Sequence, residues 1–174
     1  MNRPSAEGDD ISVRILEVDG DHALGVLDNL LIIVWRHRTF PAAVSRASLA
    51  LRALIEAHDS VGIMQIAEVT TKAPEGPARA AIGKMLADGK GHVVCSSLVY
   101  LGTGFWMASA RAFVTGLTAL SRPGFPHLVF GRVDEAADWH ARLLGTMTRT
   151  GIASAVRTLT EALDRFGPPS RSEL

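Results

Sequence analysis

The chain has one cysteine, Cys95, so it cannot close an internal disulfide, and a lone thiol of this kind fits a reducing compartment. It has no excess of either charge: 18 basic residues face 18 acidic ones. No global field therefore draws in nucleic acid or an anionic membrane, and no nucleic-acid partner is expected. The beginning, MNRPSAEGDD, is polar and acidic and lacks the apolar core of a secretory signal, so the expected location is the cytoplasm. A membrane-spanning helix needs about 20 consecutive apolar residues. The weakly charged stretch from His92 to Leu120 is broken by Ser96, Ser97, Gly102, Thr103, Gly104, Ser109 and Arg111, and reads as a strand, a turn and a helix.

Chemical signatures are equally scarce. LGTGFWM has neither the lysine and spacing of a phosphate loop nor the third glycine of a dinucleotide fingerprint, which leaves a tight strand-to-helix turn. The six histidines, His22, His37, His58, His92, His127 and His140, include no pair at the i,i+4 spacing of a helical metal site. Neither a metal nor a cofactor is expected. Cys95 with Ser96 and Ser97 lies inside an apolar strand, where a cysteine behaves as a small buried hydrophobe. Without a nucleophile elbow or an acid and base pair, the chain reads as a non-enzyme.

What is present is ordinary globular material. The 174 residues, 47% hydrophobic and 21% charged, suit one domain with a real core. Residues 1–10 have little to bury and are expected to be disordered. Ser12 to Val18 alternates as an edge or half-buried strand, and Asp19-Gly20-Asp21 is a turn signal. His22 to Leu27 can pair back as a short strand, and the apolar run Asn29 to Trp35 suits a strand covered on both faces.

Thr39 and Pro41 predict a helix to about His58, with Val44, Ala47, Leu51, Leu54 and Ile55 on its inner face. Val61 to Val69 is the next strand, and Ala78, Ala81, Ile82, Met85 and Leu86 mark a following helix that Gly76 can cap, with Pro77 as its first residue. His92 to Tyr100 is a strand again. Thr103 to Leu120 predicts an unusually apolar helix, which needs cover or offers a contact surface. Then come a short strand, His127 to Gly131, and a helix from a cap at Asp134 to Leu144. A last helix over about 150–166 carries Ile152, Val156, Leu159, Leu163 and Phe166 at steps of four and three.

Strands alternating with helices make an α/β fold with a mixed, mostly parallel sheet. Its expected order is β-β-α-β-α-β-α-β-α plus an added C-terminal helix, the initial strand pair being antiparallel. This order, with VDEAADWHARLL directly after a short terminal strand, resembles the STAS domain, in particular the SpoIIAA-like relatives of anti-sigma-factor antagonists. The resemblance implies a STAS-like domain over 11–145; the residue pattern adds the C-terminal amphipathic helix at 146–166, and GPPSRSEL a flexible tail at 167–174. It also implies a non-catalytic regulatory module that binds a protein partner.

In bacterial antagonists of that family, a serine or threonine in an Asp-Ser-Ser-Gly-like stretch at a strand-to-helix junction is phosphorylated to control partner binding. Here the junction reads AEVTTKAPEGPARAAIGKML, without that tetrapeptide. Thr70, Thr71, Lys72 and Arg79 stand nearest and form the candidate partner or phosphorylation surface, since a helix start and a lysine favour added negative charge. Arg36-His37-Arg38 is a second, small basic cluster that could meet an acidic surface or stay a solvated loop. The last helix either covers its own domain or joins two chains as a homodimer. A small apolar ligand or lipid bound beneath the 103–120 helix is the alternative function.

Overall fold

The computed structural model describes residues 12–102, 112, 114–116 and 124–166. Six strands form one sheet in the order β1-β2-β3-β4-β5-β6. They are β1 (Arg14–Val18), β2 (His22–Leu27), β3 (Leu30–Trp35), β4 (Val61–Ala67), β5 (Val93–Tyr100) and β6 (His127–Phe130). The pairings β1–β2 and β2–β3 are antiparallel, and β3–β4, β4–β5 and β5–β6 are parallel. The helices described in full are α1 (Pro41–Ala57), α2 (Gly76–Asp88), α3 (Val133–Leu144) and α4 (Arg149–Asp164). Of the helix expected over Thr103 to Leu120, Ala112 and residues 114–116 are helical, and the rest lies outside the described residues.

The α/β class and the mixed, mostly parallel sheet agree with the sequence reading. The element order is longer by one strand, because three strands precede α1. Leu27 pairs with Leu30 across a two-residue turn, Asp28-Asn29, with Asp28 at φ 48°. Aspartate tolerates that left-handed region better than most residues. Asn29 then ties the hairpin down: its Nδ2 donates to Ser60 O at 2.8 Å, and its Oδ1 accepts from Thr146 Oγ1 at 2.8 Å.

Every residue of β3 and β4 is buried. Side chains alternate across the sheet. Leu31, Ile33 and Trp35 of β3, with Val61 and Ile63 of β4, meet Val44, Ala47 and Leu51 of α1 and Ile82, Met85 and Leu86 of α2. Leu30, Ile32, Val34, Met64 and Ile66 face the opposite way, into a core completed by Ala136 and Ala137 of α3 and by Ile152, Val156, Leu159 and Leu163 of α4. Burying side chains of this size contributes roughly 1.5–3 kcal/mol each, so both layers are integral to the fold. In β5 the register slips at Val94, moving Val93 to the α1/α2 side while Cys95 and Val99 face α3.

The helix starts differ in detail from the sequence reading. Phe40, not Thr39, precedes α1, whose first residue is Pro41; Glu75, not Gly76, precedes α2; Arg132, not Asp134, precedes α3. Asp134 and Glu135 instead occupy the first turn of α3, where the positive helix end favours carboxylates. Gly145, at φ 70°, closes that helix in the left-handed conformation. Thr148 caps α4 by accepting from Gly151 N at 3.1 Å. A Cβ on Gly25 of β2 would lie 2.9 Å from Leu159 Cδ2. Glycine at that point is what lets α4 close onto the sheet.

Candidate functional site

In open α/β sheets, ligands meet the crevice outside the carboxyl ends of the parallel strands, and the β4–α2 junction stands there. Hydroxyl and backbone bonds lace it to the end of β3 and the loop that follows. Thr70 Oγ1 donates to Arg36 O at 2.6 Å, Thr71 Oγ1 donates to Trp35 O at 2.7 Å, Glu68 N donates to Trp35 O at 3.0 Å, and Lys72 N donates to His37 O at 2.8 Å. Both threonine hydroxyls are thus engaged as donors to backbone carbonyls. Thr70 and Lys72 are exposed, Thr71 is half-buried, and Arg79 lies exposed in the first turn of α2. The structure therefore gathers Thr70, Thr71 and Lys72 at one edge and sets Arg79 beside them, its Nη2 3.5 Å from Pro74 O.

The basic cluster divides. Arg36 forms a bidentate pair with Glu68 (2.7 and 2.9 Å) and reaches Asp164 of α4 at 2.6 Å. The Glu68 hydrogen bond, with help from Asp164, outweighs partial burial and holds the guanidinium more firmly charged than usual. Arg38 is exposed; its backbone amide donates to Asp21 Oδ1 at 3.1 Å, and its guanidinium lies 3.5 Å from Glu75 Oε1 and 5.1 Å from the Phe40 ring centre. A depression of about 90 Å³ between these loops is lined by Arg38, Phe40, Pro41, Lys72, Glu75 and Ala78.

A second polar group sits inside the sheet. His140, on the inner stripe of α3 with Ala136, Ala137 and Leu144, places Nε2 2.8 Å from Ser97 Oγ and Nδ1 3.2 Å from Cys95 Sγ. All three side chains are fully buried. Burial pushes the Cys95 thiol up to about 12, and burial with the nearby charge of His127 pushes His140 down to about 4. A nucleophile needs its thiolate and a route to substrate, so this trio is arranged as a satisfied structural network. The residue pattern held one hint of it: a histidine on a helix's apolar stripe needs a buried partner.

The third cluster escaped the spacing rule applied to the histidines. At the tip of the β1–β2 hairpin, ligand atoms of Glu17, Asp19 and His22 all lie within 4.8 Å of one another. His22 is 1% exposed, and among the described residues neither of its ring nitrogens has a hydrogen-bond partner. Nδ1 lies 3.0 Å from Asp19 Oδ1 and Nε2 lies 3.4 Å from Glu17 Oε1, but neither contact has hydrogen-bond geometry. A buried polar group left so costs about 1–3 kcal/mol. The i,i+4 rule belongs to helices, whereas a hairpin turn brings residues three apart face to face.

Of the five residues that the sequence marks for the last helix, Ile152, Val156, Leu159 and Leu163 of α4 are buried in the chain's own core, and Phe166, two residues beyond α4, is 60% exposed. Among the described residues, no helix is long and apolar enough to cross a membrane. Comparison with protein-family models, curated proteins and solved structures gives no match to this chain.

Proposed function

We propose that the protein is a non-catalytic, STAS-like regulatory module of the cytoplasm that binds a protein partner through the β4–α2 junction. One observation carries this reading: an exposed loop at the carboxyl end of the sheet is held rigidly by the bonds from Thr70, Thr71, Glu68 and Lys72. A surface ordered beforehand loses little entropy on association. The burial of Cys95, Ser97 and His140 is consistent with the absence of chemistry at that trio. Phosphorylation of Thr70 would remove its bond to Arg36 O and set negative charge against that carbonyl, loosening the junction. The modification thus acts by release.

Affinity capture with the wild-type chain and with Thr71→Glu and Lys72→Ala tests the surface. Partners held by the wild type are expected to be lost from both variants, and partners unchanged in all three samples would remove the junction from the reading. A homodimer would have to use a surface other than the four buried α4 side chains. Light scattering reads that directly.

A groove supports the second reading, binding of a small apolar ligand or lipid. It encloses about 630 Å³ between α1 and the β1–β2 edge, with Leu16, Leu24, Val26 and Leu54 as apolar walls and Arg14 and Arg46 among its polar ones. Arg14 and Arg46 are matched in that lining by Glu17 and Asp28, so the groove offers apolar contact without a net charge. Native mass spectrometry of protein taken directly from cells is expected to show a co-purifying mass in that case, and a clean apo mass in the first.

A further inference from the structure

We propose that Glu17, Asp19 and His22 bind a divalent transition-metal cation, of the zinc or manganese kind, at the tip of the β1–β2 hairpin. The donor set comprises two carboxylates and an imidazole, all within 4.8 Å of one another. The independent pointer is His22: it is 1% exposed, and among the described residues both of its ring nitrogens lack a hydrogen bond. A buried polar atom left in that state asks for an ion or a water that would complete it.

The surroundings hold the carboxylates without saturating them. Asp19 Oδ1 accepts from the backbone amides of Asp21 at 2.8 Å and His22 at 2.9 Å, which leaves Oδ2 available. Arg46 pairs with Glu17 Oε2, which leaves Oε1 on the side of His22 Nε2. Such outer contacts orient first ligands and fix which oxygen they present. The local charge also favours a cation: among the described residues, the two carboxylates are answered by one guanidinium, that of Arg46.

An imidazole among the donors selects against magnesium and calcium, which prefer oxygen alone, and suits first-row transition ions. Zinc ligands at about 2.0–2.2 Å stand roughly 3.3 Å apart in a tetrahedron. The three donors therefore need to close by at most about an ångström and a half, within reach of side-chain rotation in Glu17 and Asp19. Asp19, 45% exposed, gives the cation its way in and leaves room for water as a fourth ligand. His22 also packs against Trp35 with ring centres 5.5 Å apart. Trp35 in turn donates to Gln65 Oε1 at 3.1 Å, so the indole reports on the site from inside the core.

Calorimetric titration of the full chain with zinc chloride or manganese chloride, in a non-chelating buffer at neutral pH, tests the proposal. One cation per chain is expected, with affinity reduced at least tenfold by Glu17→Gln and by Asp19→Asn and abolished by His22→Leu. His92→Ala, at an exposed histidine directly before β5, three strands from β2 in the sheet, should leave binding intact. If His22→Leu does not fold, the two carboxylate variants suffice, since each keeps its backbone and hydrogen-bond acceptors. Cobalt should quench tryptophan emission in the wild type and lose that effect in Asp19→Asn. Binding that is absent, or undiminished in both carboxylate variants, would overturn the site. So would tryptophan emission that ignores every cation.

Discussion

Two histidines of this chain are buried to the same degree and treated in opposite ways. His140 projects from α3 onto β5, where the alternate positions Cys95 and Ser97 offer one partner to each ring nitrogen. His22 sits at the start of β2 between two carboxylates and the ring of Trp35, and neither nitrogen makes a hydrogen bond among the described residues. Burial alone therefore says little about what a histidine does. A closed network is complete and structural, whereas an open one at a hairpin tip has capacity left for something from outside.

The most forceful way to break this contrast is at His140. Replacement by leucine keeps the volume roughly constant but strands Ser97 and Cys95, so about 2–4 kcal/mol of stability should be lost. For a chain of this size that is a fall in Tm of about 5–15 °C, read by calorimetry. A loss below about 1 kcal/mol would mean that the network is not closed in the way the distances indicate.

Acid titration sharpens the same point. His140 and His127 are both pushed down to about 4 by burial, His140 also by the charge of His127. Their folded values lie below the ordinary histidine value near 6.5, so below that pH the unfolded chain binds more protons. Stability is then full above about pH 6.5 and falls as pH drops toward 4, by up to ~1.4 kcal/mol per pH unit for each group. Urea unfolding between pH 7.5 and 5 should show this slope, and His140→Leu should remove its own share of it. An equally steep fall in that variant would place the titration elsewhere.

A smaller effect is expected at Gly62 of β4, which lies beneath His140. A Cβ there would come within 2.9 Å of Leu144 Cδ1 and Leu30 Cδ1 and 3.2 Å of His140 Nδ1. Gly62→Ala should cost about 1–3 kcal/mol through overpacking. The loss should shrink when it is combined with His140→Leu, since the two changes disturb the same contact.

Regular elements were legible where one period dominated. The apolar runs of β3 and β4 and the inner stripes of α1, α2 and α4 each read directly as a covered strand or a one-faced helix. The three strands before α1 each read as a segment of its own, although the turn Asp28-Asn29 between the second and third contains neither glycine nor proline, and only the expected order counted one strand fewer. The slip at Val94 leaves no composition signal at all. At the candidate surface, Thr70 and Thr71 could be placed at a junction, but not bonded to carbonyls of residues 35 and 36, which only the parallel β3–β4 pairing brings alongside. His22 was hidden for another reason, since its partners are set by a hairpin turn and the spacing test assumed a helix.

The gentlest prediction is the one that separates the two histidines most cleanly. In protein stripped of metal by a chelator, His22→Leu should cost no stability and should recover up to about 1–3 kcal/mol, because it breaks no hydrogen bond, removes an unpartnered buried polar group and conserves volume against Trp35. Glu17 retains Arg46 and Asp19 retains its two backbone amides, so no charge is left without a partner. The urea midpoint of the variant in chelator should therefore equal or exceed that of the wild type, and added zinc should raise only that of the wild type, since a ligand that binds the folded state stabilises it by mass action. A loss above about 2 kcal/mol in the metal-free protein would show that His22 is already answered from within, and the distinction from His140 would collapse.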